Sequence, residues 1–254
     1  MADNGLGRVE PKTWLHVEKY GVSPPTVATV ESALVVPKEV RGAAYWQGST
    51  SQCVGASGGQ HKTFWEAKNG GPQVLFDFDW LWCQACQIDS WGDNNDCADK
   101  SHGTAVRSAF DIMRTKGLLR AGGARPSKRW SIGRNEWVTS VDAMRALLAQ
   151  GTPVNLGTTW YSQMFRPEHR PNGEWVMSVT TGNVVGGHSY IAWQASDQRQ
   201  AFLIYNTWEN WPAAGNPGCW IPYELVSRLL RENGEAGYIV ADEPGKLGIS
   251  SDVL

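Results

Sequence analysis

Cys53 is the residue whose surroundings most invite chemistry. It follows the polar segment Gln47-Gly48-Ser49-Thr50-Ser51-Gln52 and opens a stretch with helical character. A thiol at a helix N-terminus is held in its thiolate form, which is the nucleophile. Such a nucleophile needs a base. An apolar run over residues 187–195 begins with Gly187-His188-Ser189, and a second run over 201–206 ends in Asn206. Between them lies the polar turn 196–200, so the two runs read as a β-hairpin. If the turn is centred on Asp197, His188 and Asn206 are a cross-strand pair with side chains on one face. The amide then fixes the orientation and tautomer of the imidazole. A slip of one residue would send the two side chains to opposite faces. Thiolate attack on a carbonyl carbon develops charge on the carbonyl oxygen, and that charge needs donors already in place. The Cys53 backbone N–H supplies one, and the side-chain amide of Gln47 is a candidate for the second.

These residues need elements to hold them. Residues 53–68 read as a helix stopped by Asn69-Gly70-Gly71-Pro72, although Gly55, Gly58 and Gly59 weaken it. The aromatic-rich Phe78-Asp79-Trp80-Leu81-Trp82-Cys83 follows. Val106, Ala109, Phe110 and Met113 recur at helical spacing within 104–116, and Gly117 closes that helix. Ser140 caps a further helix with Met144, Leu147 and Leu148 facing inward, ended by Gly151 and Pro153. The pattern then turns to strand at 154–156, 183–195, 201–208 and 237–240. A short strand is also expected over Ala33 to Val36. Helices dominate the first half and strands the second, which predicts an α+β fold with a cleft between two subregions.

At this point the sequence resembles a family. The Gln47 to Cys53 segment, with Cys53 six residues after Gln47, is similar to the Gln-Gly to Cys stretch of papain-like cysteine peptidases. Gly187-His188-Ser189 resembles their histidine segment. Tyr205-Asn206-Thr207-Trp208 resembles their Asn-Ser-Trp segment, with Thr207 in place of Ser, and the order Cys, His, Asn agrees. His102-Gly103-Thr104, the 149–154 junction and Gly218-Cys219-Trp220-Ile221-Pro222-Tyr223 extend the likeness over about 35–240. Val54 stands where plant and animal members carry Trp. Ser51-Gln52 replaces their Gly-Ser, and Gly103-Thr104 their Gly-Gly. These departures resemble bacterial or phage-type variants.

The resemblance implies a papain-like fold, with a helical part over about 53–120 and a β-barrel-like antiparallel part over about 140–240. Residues 1–34 form a lead-in and 241–254 a tail. It implies a Cys53 nucleophile, a His188 base, Asn206 as orienter and Gln47 at the oxyanion. Trp208 would shield the His–Asn hydrogen bond. Gly103, Thr104, Val154 and Gly187 would line the substrate cleft and accept a small or apolar side chain. Peptide bonds would be cut through a thioester, with no cofactor and a peptide or protein substrate. Two other readings use the same residues: a cysteine amidase or endopeptidase of bacterial cell-wall peptides, and a non-catalytic peptide-binding module.

The other cysteines leave alternatives open. Cys83, Cys86 and Cys97 with His102 have spacing that suits zinc, but a second Cys-x-x-Cys is missing. The family resemblance favours disulfide pairing among Cys83, Cys86 and Cys97 instead. Asp93-Asn94-Asn95-Asp96 lacks the Gly and Glu of a calcium loop and reads as a solvated turn. His16, His61 and His169 read as surface residues. The net charge of -2 over 254 residues suggests neither a nucleic-acid nor an anionic-membrane partner. No stretch is long and apolar enough for a transmembrane helix, and no secretory signal is evident, so a monomer in the cytoplasm or associated with a phage is expected.

Overall fold

The computed structural model describes residues 29–32, 43–71, 73–89, 96–123, 128–180, 182–214 and 218–242. The expected strand over Ala33 to Val36, the Asp93–Asn95 part of the polar turn, His16 and the tail beyond 242 lie outside them.

Helix α1 spans Cys53–Lys68, and every residue from Cys53 to Glu66 is buried. It runs through the interior rather than along a surface, so it shows no apolar stripe. Its glycines have a packing reason. A Cβ at Gly55 would meet the Phe78 carbonyl oxygen at 2.3 Å, and one at Gly58 would meet Leu81 at 2.8 Å. The close approach of α2, Phe78–Cys86, offsets what the glycines lose in helix propensity. The sequence reading assigned no element to α2. Its start is set by Asp77, whose side chain accepts from the Trp80 backbone N–H at 2.9 Å.

Helix α3, Val106–Thr115, has no local cap. The Glu235 carboxylate accepts from the Val106 backbone N–H at 3.1 Å across 129 residues of sequence. Gly117, at φ +67, ends the helix as expected. Helix α4, Val141–Ala149, starts at Ser140, whose hydroxyl accepts from the Ala143 backbone N–H at 3.2 Å.

Strands β1 Ile132–Trp137, β2 Val154–Tyr161, β3 Glu168–His169, β4 Trp175–Val176, β5 Val184–Ser196, β6 Ala201–Tyr205, β7 Gly218–Pro222 and β8 Glu235–Asp242 form one sheet. The order is β1-β8-β2-β5-β6-β7-β4-β3. Neighbours are antiparallel except β4 and β7. The sheet is open where a barrel-like closure was expected. Its edges, β1 and β3, do not pair with each other, and β3 and β4 are only two residues long each. Helix α5, Tyr223–Arg231, follows β7 directly and buries Leu225, Val226, Leu229 and Leu230.

The hairpin register differs from the expectation. Ser196 faces Ala201 and Ile191 faces Tyr205, with an irregularity between Ala192 and Gln194. The turn is residues 197–200, centred between Gln198 and Arg199 rather than on Asp197, with Gln200 in the left-handed region at φ 51. Strand β6 ends at Tyr205, so Asn206 is not a ladder partner of His188. The strand opposite His188 is β2, through Thr158.

One core lies between the sheet and helices α4 and α5, built around Leu156, Trp160, Tyr190, Phe202 and Leu229. A second joins α1, α2 and α3 to Ile132 of β1 and Ile239 of β8. Residues 29–32 clip onto the hairpin, where the Ser32 backbone N–H donates to the Ala195 carbonyl at 2.9 Å and the Val30 N–H to Asp197 at 2.7 Å. Among the described residues, no helix is long and apolar enough to cross a membrane.

Candidate active site

Cys53 is the first residue of α1 and is fully buried. Its helix lies against β5. One turn beyond Cys53, the Ser57 hydroxyl bonds that of Ser189 at 2.7 Å, and Ser189 in turn donates to Asn155 Oδ1 at 3.0 Å. Ser189 follows His188 directly. This buried chain of polar groups ties the start of the helix to the strand that carries the histidine.

His188 Nε2 lies 2.6 Å from Asn206 Oδ1. The same oxygen accepts from the Thr207 backbone N–H at 2.7 Å. An atom that accepts a backbone N–H must be the amide oxygen, so Nε2 of His188 is the donor. In the neutral ring, the lone pair is then on Nδ1, which is buried and has no hydrogen-bond partner among the described residues. Thus Asn206 reaches the imidazole from the segment leaving the sheet after β6, not from a paired ladder position.

Gln47 is nearly buried and is fastened to this same segment. Its backbone N–H donates to the Thr207 carbonyl at 3.1 Å, and the Thr207 hydroxyl donates to its side-chain oxygen. Its side-chain nitrogen donates to the Thr50 carbonyl at 2.6 Å. That nitrogen carries a second hydrogen. The Thr50 hydroxyl also donates to Gln52 Oε1 at 2.9 Å, and the Gln52 amide bonds Asp79, so the loop before Cys53 is braced on both sides.

The imidazole sits among aromatic rings. Trp208 stacks on it with centroids 4.1 Å apart, and Trp160 meets it edge to face at 4.9 Å. Burial pushes the His188 pKa down to about 3, and the hydrogen bond to Asn206 offsets only part of that shift.

The other expected residues lie as follows. Gly103 and Gly187 are buried backbone positions. The Thr104 side chain is fully buried and donates to Asp89 at 2.7 Å. The Val154 side chain is fully buried in the core beneath the sheet. The residues weighed as zinc ligands are otherwise engaged. Cys83 and Cys97 are joined in a disulfide, Cys86 Sγ lies 3.9 Å from the Gly103 carbonyl, and His102 pairs with Asp99. Among the described residues, no cluster of three or more His, Cys, Asp or Glu is set to hold a metal. His169 is exposed as expected, with its ring 4.5 Å from that of Trp175. His61 is not a surface residue. It is fully buried in α1, edge-on to Phe110 at 5.8 Å, because α1 is enclosed on every side.

Sequence reasoning did not find Trp160, Ser57, Ser189 or Asn155 as residues built around the site. An aromatic on one strand and small polar residues on others give no spacing signal until the strands are paired.

No protein-family model matches the sequence, and no curated protein matches it. Solved structures do. Xylellain, a cysteine protease from Xylella fastidiosa, superposes with a TM-score of 0.71 at 17% identity, covering 94% of this chain and 97% of that one. Procathepsin B S9 from Trypanosoma congolense gives 0.63 at 12% identity, over 95% and 87%. Digestive procathepsin L 3 of the Tenebrio molitor larval midgut gives 0.60 at 12%, over 94% and 76%. With helices gathered at the Cys53 end and His188 carried on a long central strand, the chain has the fold of the papain-like cysteine peptidases.

Proposed function

We propose that this protein is a cysteine peptidase that hydrolyses peptide bonds through a thioester. The observation that carries the reading is the His188–Asn206 pair. Its 2.6 Å bond fixes the tautomer with the proton on Nε2 and leaves Nδ1 as the basic atom. In this reading Cys53, at the N-terminus of α1, is the thiol beside that atom. Proton transfer from the thiol to Nδ1 makes a thiolate–imidazolium pair. An imidazolium buried this deeply needs an anion next to it, and the thiolate is that anion.

The thiolate attacks the scissile carbonyl carbon. The oxyanion is met by the Cys53 backbone N–H and the Gln47 side-chain amide. The imidazolium protonates the leaving amine, and neutral His188 then takes a proton from water as that water cleaves the thioester. Asn206 holds the ring throughout, and Trp208 keeps water from the His–Asn bond. Thr207 keeps the hydroxyl that its family counterpart Ser would supply, here used to hold Gln47.

The test is titration with an epoxide inhibitor of papain-type enzymes, with the modified residue mapped by mass spectrometry. The expected result is single-site labelling of Cys53 that disappears in Cys53→Ala and slows strongly in His188→Ala. Slow labelling spread over several thiols and indifferent to His188 overturns the reading in favour of a non-catalytic module.

A further inference from the structure

Trp160 lies on β2 opposite Gly186 of β5, and Thr158, two residues earlier, lies opposite His188. Cross-strand partners share a face, so Trp160 and His188 are diagonal neighbours on one side of the sheet. Gly186 has no side chain, which leaves room for the indole beside the imidazole. The result is edge-to-face contact at 4.9 Å and 73°, while Trp208 covers the ring in parallel at 4.1 Å and 23°. Trp160 also meets Trp208 at 5.4 Å, Tyr190 at 5.6 Å and Trp211 at 5.8 Å, so it is the hub of the aromatic group. It is fully buried, and its indole N–H has no acceptor among the described residues. As core filling alone, that N–H is a liability that a phenyl ring would avoid.

We propose that Trp160 is a positioning residue for His188, whose π system, with that of Trp208, stabilises the imidazolium form on which the thiolate depends. The proposal rests on the Cys53–His188 reading above. A cation against an indole is attracted by the ring quadrupole, and most strongly when desolvated. The groups around His188 leave little else to do this. β2 presents Thr158 and Trp160. The segment after β6 presents Asn206 and Trp208. β5 itself presents Tyr190, whose hydroxyl lies 3.0 Å from that of Thr158, and in the reading above α1 brings the Cys53 thiol. No charged side chain among the described residues is a cause of the shift at His188.

The experiment measures the rate of Cys53 alkylation by iodoacetate, whose anion is drawn to the imidazolium, against pH in Trp160→Leu and Trp160→Phe, with folding checked by thermal melting. The thiolate–imidazolium pair ends at high pH when His188 loses its proton. Loss of imidazolium stabilisation therefore moves the alkaline limb to lower pH. The acid limb, where both states carry the imidazolium, stays in place. Trp160→Leu is expected to shift the alkaline limb down by about one pH unit. Trp160→Phe, which keeps a weaker π face, should shift it less in the same direction. On a peptide substrate, kcat should fall more than KM changes. A residue that only fills the core would lower the melting temperature and leave the limb unmoved, and that result overturns the proposal. If Trp160→Leu does not fold, Trp160→Phe decides alone: a downward shift supports, and an unmoved limb overturns. If wild-type alkylation does not depend on His188, the base assignment fails as well, and that failure shows before any Trp160 variant is made.

Discussion

Two of the described histidines, His61 and His188, are fully buried, and burial lowers the pKa of both to about 3. His61 sits in the middle of α1. Phe110 packs edge-on against it, the charge of Lys62 lowers its pKa further, and the Pro153 carbonyl offsets only part of the loss. His188 sits on the central strand. A side-chain amide aimed at Nε2 fixes one tautomer, and two indoles wall the ring. Burial and a lowered pKa are common to both rings and do not separate them. What separates them is the hydrogen bond that commits Nε2 of His188 and leaves Nδ1 basic, on a strand tied through Ser189 to the helix that Cys53 opens, and this difference supports the role proposed for His188.

The sharpest way to break this comparison is by activity. Cys53→Ala and His188→Ala are each expected to lower kcat/KM on a peptide substrate by roughly 10³-fold or more. His61→Leu should stay within a few-fold of wild type. An equal loss at His61 would erase the distinction.

The next effect is on stability against pH. An unfolded histidine takes a proton near pH 6.5, whereas either buried ring resists protonation until about 3. The unfolded state therefore binds more protons, and stability falls as pH drops from about 6.5 towards 3. Each such ring contributes a slope of about 1.4 kcal/mol per pH unit. Urea unfolding of Cys53→Ala, which has no thiolate to pair with His188, should show the slope of two rings. Adding His61→Leu should halve it, and an unchanged slope would mean that His61 is not held neutral.

Asn206→Ala should lower kcat by roughly 10- to 100-fold, since the ring remains but its tautomer is no longer fixed. Nitrogen NMR of the imidazole should change from a proton held on Nε2 to a mixture. The smallest effect is expected at Phe110→Leu, which removes the edge contact to His61. It should cost about 1 kcal/mol in chemical unfolding and leave Cys53 labelling untouched.

The candidate site is more legible in the sequence than the framework around it. Cys53, His188 and Asn206 stand out by residue type and chain order, and His188 and Asn206 meet in the structure. The route by which they meet was misread. The turn after β5 is centred past Asp197, the ladder shifts between Ala192 and Gln194, and Asn206 arrives from outside the strand. Local turn chemistry could not reveal that, because an irregularity inside a 13-residue strand leaves no composition signal. His61 reads as a surface residue because no partner for it is visible along the chain. Only the enclosure of α1, with Lys62 paired to Glu66, shows otherwise. Glu235 capping α3 depends on a contact 129 residues away and was beyond any window along the chain.

The Cys83–Cys97 bond has a practical consequence. The protein holds sulfur in two oxidation states, a disulfide between α2 and the loop after it, and a buried thiol at Cys53 on the neighbouring helix. The chemistry proposed for Cys53 requires that thiol to stay reduced, while the bridge exists only if its two sulfurs stay oxidised. Reductant is therefore a variable with an optimum rather than a protective additive. Too little leaves the nucleophile open to oxidation, and too much opens a cross-link that constrains the segment leading to Gly103.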